Sequence, residues 1–153
     1  MFKLKQNSYI LLLFPIATPQ YQLIEQRLNE YCNIIYTKDL TLNQNGALNL
    51  INCAYLGEKW LSTFGDLTGL YAKYYYSFNT FRHIMKVYLI EPKIDLQIKE
   101  IKKKLRELCN NNSHALHIND TYEQTVFLTE RLLYDNSENN LNERKFNKNL
   151  QLW

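Results

Sequence analysis

The chain has 153 residues, of which 46% are hydrophobic, and a formal net charge of +3. This length is typical of one domain with its own core, and the weak charge argues against nucleic acid as a partner. The three cysteines are widely spaced and form no Cys-x-x-Cys pair, which excludes the common zinc and disulfide patterns and favours a cytoplasmic location. The first apolar run, residues 9–14, is too short to span a membrane, so we expect no membrane association.

The first half of the chain predicts two strands and two helical regions. Residues 8–14 are apolar on both faces and are followed by a proline, which is typical of a buried strand. A helix start at Thr18 and Pro19 leads into a helical repeat through residue 31, and residues 33–42 are rich in β-formers. The sequence Asn-Gln-Asn-Gly at residues 43–46 predicts a turn. A second helical region follows over residues 47–61 and is interrupted near Gly57.

The second half predicts two more strands. Residues 64–80 show no clear period, residues 84–90 predict a third strand, and an apolar stripe predicts the next helix. That stripe consists of Ile94, Ile98, Ile101, Leu105 and Leu108. Residues 115–118 predict a fourth strand, and a last helix follows over residues 121–134 with Asp120 or Thr121 as its N-cap. We interpret residues 136–153, which are polar and rich in asparagine, as an extension of a single domain over residues 1–135.

The order β-α-β-α(α)-β-α-β-α predicts an α+β fold of the ferredoxin-like type. Such a fold has an antiparallel four-stranded sheet with helices packed on it. The short links and the count of four strands favour it over the alternative, a flavodoxin-like parallel sheet.

Two of the three histidines, His114 and His117, occur in the segment Ser-His-Ala-Leu-His-Ile-Asn-Asp-Thr, residues 113–121. Here a strand runs into a helix N-terminus, where backbone N–H groups favour an anion. A histidine at this place can hold a phosphate or accept one as a nucleophile. An odd separation on a strand puts the two rings on opposite faces, so we predict no metal site. For His117 the alternative is a structural histidine in the strand-to-helix corner.

Residues 117–123, His-Ile-Asn-Asp-Thr-Tyr-Glu, resemble the active-site signature of nucleoside diphosphate kinases. In that signature a catalytic histidine is followed by Gly-Ser-Asp-Ser and by a helix rich in glutamate. The resemblance implies that His117 is the nucleophile and that Asp120 and Thr121 match the Asp and Ser. It also implies that His114 takes the place of an asparagine that contacts the nucleotide.

In element order the resemblance extends over residues 8–134. Trp60 falls where the family has an aromatic residue that stacks on the base, and Mg²⁺ would bridge the nucleotide phosphates as it does in the family. Three positions depart from the pattern. Phe14, Ile16 and Leu128 stand where the family has a phosphate-contacting lysine, the aspartate that follows it, and the glutamate that orients the catalytic histidine. The long loop that supplies an arginine to the phosphates is also missing.

Two further places carry cations that suit a phosphate. Arg82 precedes the third strand, and its guanidinium matches phosphate geometry. Lys102 belongs to a helix that also carries Lys103, Lys104 and Arg106. That cluster is either an anion-facing patch or a solvated helix face.

The sequence therefore predicts a nucleoside-diphosphate-kinase-like domain that binds a nucleotide or another phosphorylated small molecule near His117. The catalytic hypothesis is phosphotransfer through a phosphohistidine. The predicted substrate-binding residues are His114, Arg82, Trp60, Asp120, Thr121 and Lys102. The alternative is a non-catalytic binding or assembly protein on the same fold. The tyrosine cluster near residues 71–76 suits an interface between copies, and we expect a homo-oligomer.

Overall fold

The computed structural model describes residues 3–61, 68–80, 84–93 and 95–146. Within these ranges the strands are β1 (Tyr9–Leu13), β2 (Cys32–Thr41), β3 (Ile84–Pro92) and β4 (Leu116–Ile118). The α-helices are α1 (Tyr21–Tyr31), α2 (Gln44–Ala54), α3 (Thr68–Phe78), α4 (Ile98–Glu107), α5 (Tyr122–Leu132) and α6 (Ser137–Glu143). Short 3₁₀ helices occur at Pro15–Gln20 and Lys59–Leu61. No helix in the described part of the chain is both long and apolar enough to cross a membrane.

The four strands form one sheet in the order β2-β3-β1-β4, and every neighbouring pair is antiparallel. This order and direction are those of a ferredoxin-like α+β fold, which confirms the predicted fold class. In the centre of the sheet, Leu12 of β1 lies between Val87 of β3 and His117 of β4. The sheet therefore sets His117 on an edge strand, next to the central strand.

Strand β1 is apolar on both sides because helices cover both faces of the sheet. Leu11 and Leu13 face a core shared with α1 and α4, and Ile10 and Leu12 face a second core shared with α2, α3 and α5. Each fully buried side chain of this size contributes roughly 1.5–3 kcal/mol relative to an exposed one. The uninterrupted apolar run at residues 9–14 follows from this double burial.

The N-cap of α5 is Thr121, and Asp120 is not the cap. The hydroxyl of Thr121 accepts a hydrogen bond from the backbone N–H of Gln124 at 3.2 Å, and the Gln124 side chain accepts from the backbone N–H of Thr121 at 3.2 Å. This reciprocal arrangement is a capping box. It fixes the corner in which β4 passes into α5.

The prediction of a turn at residues 43–46 is wrong, because these residues begin α2. The side chain of Asn43 accepts a hydrogen bond from the N–H of Gly46 at 2.8 Å and so caps the helix. Asparagine and glycine are favoured in turns and at helix N-termini for the same reason, which made the sequence ambiguous. The predicted interruption near Gly57 is present, with φ of 90° at that residue.

Helix α6 packs against α2, with Leu141 fully buried between them. Three asparagines form hydrogen bonds between α2, α6 and the backbone next to them. We call Asn45, Asn49 and Asn142 the asparagine seam. The amide of Asn49 donates to the carbonyl oxygens of Leu141 at 2.9 Å and Arg144 at 2.6 Å. Residues 137–146 of the C-terminal extension are therefore attached to the helical layer, and residues 147–153 lie outside the described part of the chain.

Candidate functional site

His117 lies in the middle of β4, between two side chains that point into the core under α1 and α4. Because side chains alternate along a strand, its imidazole faces the opposite side of the sheet from Leu116 and Ile118. The ring packs against the ring of Tyr55, which follows the last residue of α2, with the ring centroids 4.5 Å apart. As a residue, His117 is half-buried.

Burial and three nearby cations keep this imidazole neutral. Burial, the largest cause, and the charges of Lys102, Lys73 and Arg106 together lower the pKa of His117 to about 3. At neutral pH the ring therefore carries a lone pair, as nucleophilic attack on phosphorus requires. None of the described residues forms a hydrogen bond with the ring, including the nearby carboxylate of Asp120.

Lys73 of α3 brings a buried ammonium to this site, with its side chain 6% exposed. Its Nζ donates to the carbonyl oxygen of Ser113 at 2.8 Å and lies 3.1 Å from Nδ1 of His114. The same ammonium lies over the rings of Tyr55, 5.1 Å from the centroid, and Phe14, 5.7 Å from the centroid. Among the described residues no carboxylate pairs with it.

The charge on Lys73 is destabilised by its surroundings. Burial, the largest cause, and the nearby charges of Arg106 and Lys102 together lower its pKa to about 8. Such a shift is typical of an ammonium removed from water next to like charges. An anion placed between these groups would reverse the effect.

Helix α4 contributes Lys102 and Arg106, which lie one turn apart. Nζ of Lys102 donates to the carbonyl oxygen of Ile118 at 3.0 Å and lies 4.0 Å from the carboxylate of Asp120. The pKa of Lys102 is lowered by burial and by Arg106, against the opposing charges of Asp120 and Glu58. Nε of Arg106 is buried and has no hydrogen-bond partner in the described part of the chain.

A cleft of about 330 Å³ opens beside these two cations. Its lining residues come from α4, the loop before β4 and the start of the corner after it: Lys99, Lys102, Lys103, Arg106, Asn111 and Asp120. Four of these six are positively charged, so the cleft favours an anion by charge, and it adjoins the site through Lys102 and Arg106, since His117, His114 and Lys73 do not line it.

His114 lies in the turn before β4, since the strand begins at Leu116 rather than at Ala115. The prediction that the two histidines occupy opposite faces of a strand is therefore wrong. Lys73 lowers the pKa of both imidazoles, with burial the larger cause in each case. The His114 ring also stacks on Tyr76, with centroids 5.0 Å apart.

The other predicted site residues, Trp60, Asp120, Thr121 and Arg82, do not share one environment. Trp60 is 42% exposed and packs edge-on against Tyr55 at 5.1 Å, so it extends the aromatic wall next to His117 toward solvent. Asp120 is exposed and pairs with Lys102. The hydroxyl of Thr121 is used as the α5 cap. Arg82 lies outside the described residues.

Two residues at this site, Lys73 and Tyr55, are not among the predicted site residues. A signal for Lys73 was present, because the buried residues Leu70, Lys73 and Ser77 recur at helical spacing on one face of α3. A lysine on such a face is either paired or functional. Tyr55 offered no comparable signal, since an aromatic residue at the end of an amphipathic helix is ordinary core material.

The chain is an α+β domain with a ferredoxin-like sheet. A solved structure with a similar fold is an orthorhombic crystal form of the nucleoside diphosphate kinase of Aquifex aeolicus. The two chains are 12% identical, the match covers 88% of this chain and 99% of that chain, and the TM-score is 0.54. At this identity the likeness establishes a shared fold alone. No family model and no curated protein matches the chain.

Proposed function

We propose that the site around His117 binds the phosphate groups of a nucleotide or of another phosphorylated small molecule. The observation that carries this proposal is the convergence of Lys73, Lys102 and Arg106 on the imidazole of His117, with Lys73 also in contact with the ring of His114. Within the described ranges only Lys102 of these three has a carboxylate within 4.0 Å. Positive charges gathered in this way destabilise the free protein, and a phosphate would offset that cost.

The aromatic wall favours a nucleotide over inorganic phosphate. Tyr55 is buried next to the cations, and Trp60, which packs against it, is 42% exposed and offers the ring surface for a base. Stacking on such rings contributes about 1–3 kcal/mol per base in other proteins. The likeness to a nucleoside diphosphate kinase supports the same choice, although it concerns the fold alone.

The described residues offer Mg²⁺ no ligand set of their own. In the described part of the chain no group of three His, Cys, Asp or Glu side chains could hold a metal. A Mg²⁺ ion bound through nucleotide phosphates keeps several water ligands and needs only one or two carboxylates. Binding should therefore be measured with and without Mg²⁺, and the proposal does not depend on the ion.

Calorimetric titration with ATP, ADP, AMP and inorganic phosphate tests the proposal, together with thermal unfolding in each ligand. A ligand at 100 times its Kd adds roughly 2.7 kcal/mol to the free energy of unfolding. Arg106→Met should weaken binding, and Lys104→Met is the matched control. Lys104 lies on the same helix, but its Nζ packs over the ring of Tyr31 at 5.2 Å. Absence of binding in the wild-type chain, or equal losses in both variants, would overturn the proposal.

The neutral imidazole of His117 supports phosphotransfer as the reaction of this site. One ring nitrogen would attack the terminal phosphorus of a nucleoside triphosphate, forming an N–P bond as the P–O bond to the diphosphate breaks. The nucleoside diphosphate would leave with the electron pair, and Lys102 and Arg106 would stabilise the charge. Terminally labelled triphosphate should then give an acid-labile adduct in the wild-type chain and none in His117→Gln. An unlabelled wild-type chain that binds the nucleotide would reject the reaction and retain the binding function.

One observation favours the second candidate, a non-catalytic assembly protein. Tyr71, Tyr75 and Tyr76 on α3 are exposed by 44%, 57% and 54%. Tyrosine is enriched at protein interfaces, where its ring gives contact area and its hydroxyl remains hydrogen-bonded. A molar mass in solution equal to several chains, reduced by Tyr75→Ser, would support this candidate, and a monomer would reject it.

A further inference from the structure

Lys73 and His114 form a hydrogen-bonded pair. Nζ of Lys73 lies 3.1 Å from Nδ1 of His114 and 2.8 Å from the carbonyl oxygen of Ser113. Its other close neighbours are the rings of Tyr55 and Phe14. A carbonyl oxygen, a ring nitrogen and two aromatic faces all attract a cation. Lys73 is therefore the donor in its contact with the imidazole.

This contact decides which nitrogen of His114 carries the proton. A neutral imidazole has one N–H and one acceptor nitrogen. Since Lys73 donates to Nδ1, the proton of the neutral ring lies on Nε2. Stacking on Tyr76 and a 2.9 Å bond from the His114 backbone N–H to Oδ1 of Asn112 hold the residue in place. No residue of the described ranges accepts a hydrogen bond from Nε2.

We infer that Lys73 is a positioning residue that holds His114 in the Nε2–H tautomer, and that this N–H donates to a phosphate oxygen of the ligand. The second half rests on the proposed function, and the first half does not. The opposite tautomer would present a lone pair to the phosphate and repel it. Lys73 thus makes His114 a dedicated donor, in addition to supplying charge.

Burial and the charge of Lys73 oppose a second proton on His114. The other titratable groups next to the pair are Tyr76, which stacks on His114, Tyr55, whose ring lies under the Lys73 ammonium, and Lys102, Arg106 and His117, which interact with the charge of Lys73. To become an imidazolium, His114 must protonate Nδ1 and give up the hydrogen bond from Lys73. A phosphate dianion reduces this electrostatic cost, so ligand binding should raise the pKa of His114 and take up protons near neutral pH.

Long-range ¹H–¹⁵N spectra of the imidazole nitrogens test the first half on the full chain, without any ligand. The signals of His114 are assigned as those missing from His114→Gln. In the wild-type chain we expect a protonated Nε2 and an unprotonated Nδ1 across the pH range in which the ring is neutral. Lys73→Met should give a mixture of tautomers with a higher His114 pKa, and Lys73→Arg should restore the wild-type pattern. A wild-type His114 protonated on Nδ1 would overturn the inference even if the variants fail to fold.

Titration with ADP tests the second half. His114→Leu should weaken ADP binding about tenfold, the typical loss of one hydrogen bond to a charged group, and His114→Gln, which keeps an N–H donor, should lose less. If the wild-type chain binds ADP and both variants bind it equally well, the inference is overturned and the proposed function stands. If the wild-type chain binds neither ADP nor phosphate, the proposed function fails together with the ligand half of the inference, whereas the tautomer result is independent of it.

Discussion

The asparagine seam and the site formed by Lys73, Lys102 and Arg106 around His117, here called the cationic site, are both polar and both partly buried, but the seam is neutral and the site gathers like charges. In the seam, Asn49 and Asn142 exchange hydrogen bonds with backbone groups across the α2–α6 layer at 2.6–2.9 Å. At the cationic site, Lys73 and Lys102 have lowered pKa values, and Nε of Arg106 has no partner in the described part of the chain. Neutral polar groups that are paired within the chain stabilise it, whereas like charges held close together are an electrostatic cost that an anionic ligand would reduce.

The largest expected effect is on ligand binding at the cationic site. The double variant Lys102→Met, Arg106→Met should bind ADP at least roughly 100-fold more weakly, because two charge-assisted contacts are lost. Its free energy of unfolding should stay the same or rise, because mutual repulsion is removed. Calorimetric titration and urea unfolding measure the two quantities. A clear fall in stability with unchanged affinity would show that these cations are structural, like the seam.

In the seam the expected effect is on stability. Asn49 is 4% exposed, and Asn49→Ala removes the amide that donates to the carbonyl oxygens of Leu141 and Arg144, for which Asn45 remains as a second donor. We expect a loss of about 2 kcal/mol in the free energy of unfolding, measured by urea denaturation. Asn139→Ala is the control on the exposed side of α6, where its amide contacts only Asn136, and it should change stability by less than about 0.5 kcal/mol. Similar losses in both variants would contradict a structural role specific to the seam.

The pH dependence of stability should distinguish the site from the seam, which has no titratable group among its three asparagines. The folded pKa of His117, about 3, is below its unfolded value of 6.5. As the pH falls below 6.5, the unfolded chain binds a proton that the folded chain does not, so stability decreases. From pH 7 to pH 5 we expect a loss of about 1–2 kcal/mol from this group. His117→Gln should reduce the slope, and saturating ADP should also reduce it, because an anion favours the imidazolium.

The smallest expected effect concerns the corner that holds β4 against α5. Thr121→Ala removes the capping hydroxyl and should cost about 1 kcal/mol in the free energy of unfolding, whereas Thr121→Ser should retain most of it. Because the hydroxyl serves the cap, ADP affinity should change little in either variant. A large loss of affinity in Thr121→Ala with intact stability would instead assign this residue to the ligand.

Elements whose burial is set by local pattern could be predicted from the sequence. The stripe of α4 predicted a helix in which Ile101 and Leu105 are buried, and the apolar run of β1 predicted a strand covered on both faces. The start of α2 could not be distinguished from a turn, because Asn43 makes the same kind of side-chain bond in either structure. Periodicity reports which side of an element is buried, and it carries less information about where that element begins.

The chemistry of the site was only partly predictable. His117 and Lys102 stand out by residue type, and the structure places both at the cationic site. Lys73 is separated from His114 by 41 positions, so their contact depends on how α3 packs against the turn before β4. The sequence also did not indicate which cations of α4 belong to the site. Lys102 and Arg106 act on His117, whereas Lys104 packs on Tyr31.

Helix α2 carries two of the three asparagines of the seam, Asn45 and Asn49. Tyr55 follows directly at the C-terminal end of this helix, and its backbone N–H donates to the carbonyl oxygen of Ile51. Helix α2 is thus hydrogen-bonded to α6 through Asn49, and Tyr55 at its end packs its ring against His117. The attachment of α6 to α2 therefore helps to hold the helix end from which Tyr55 contacts His117.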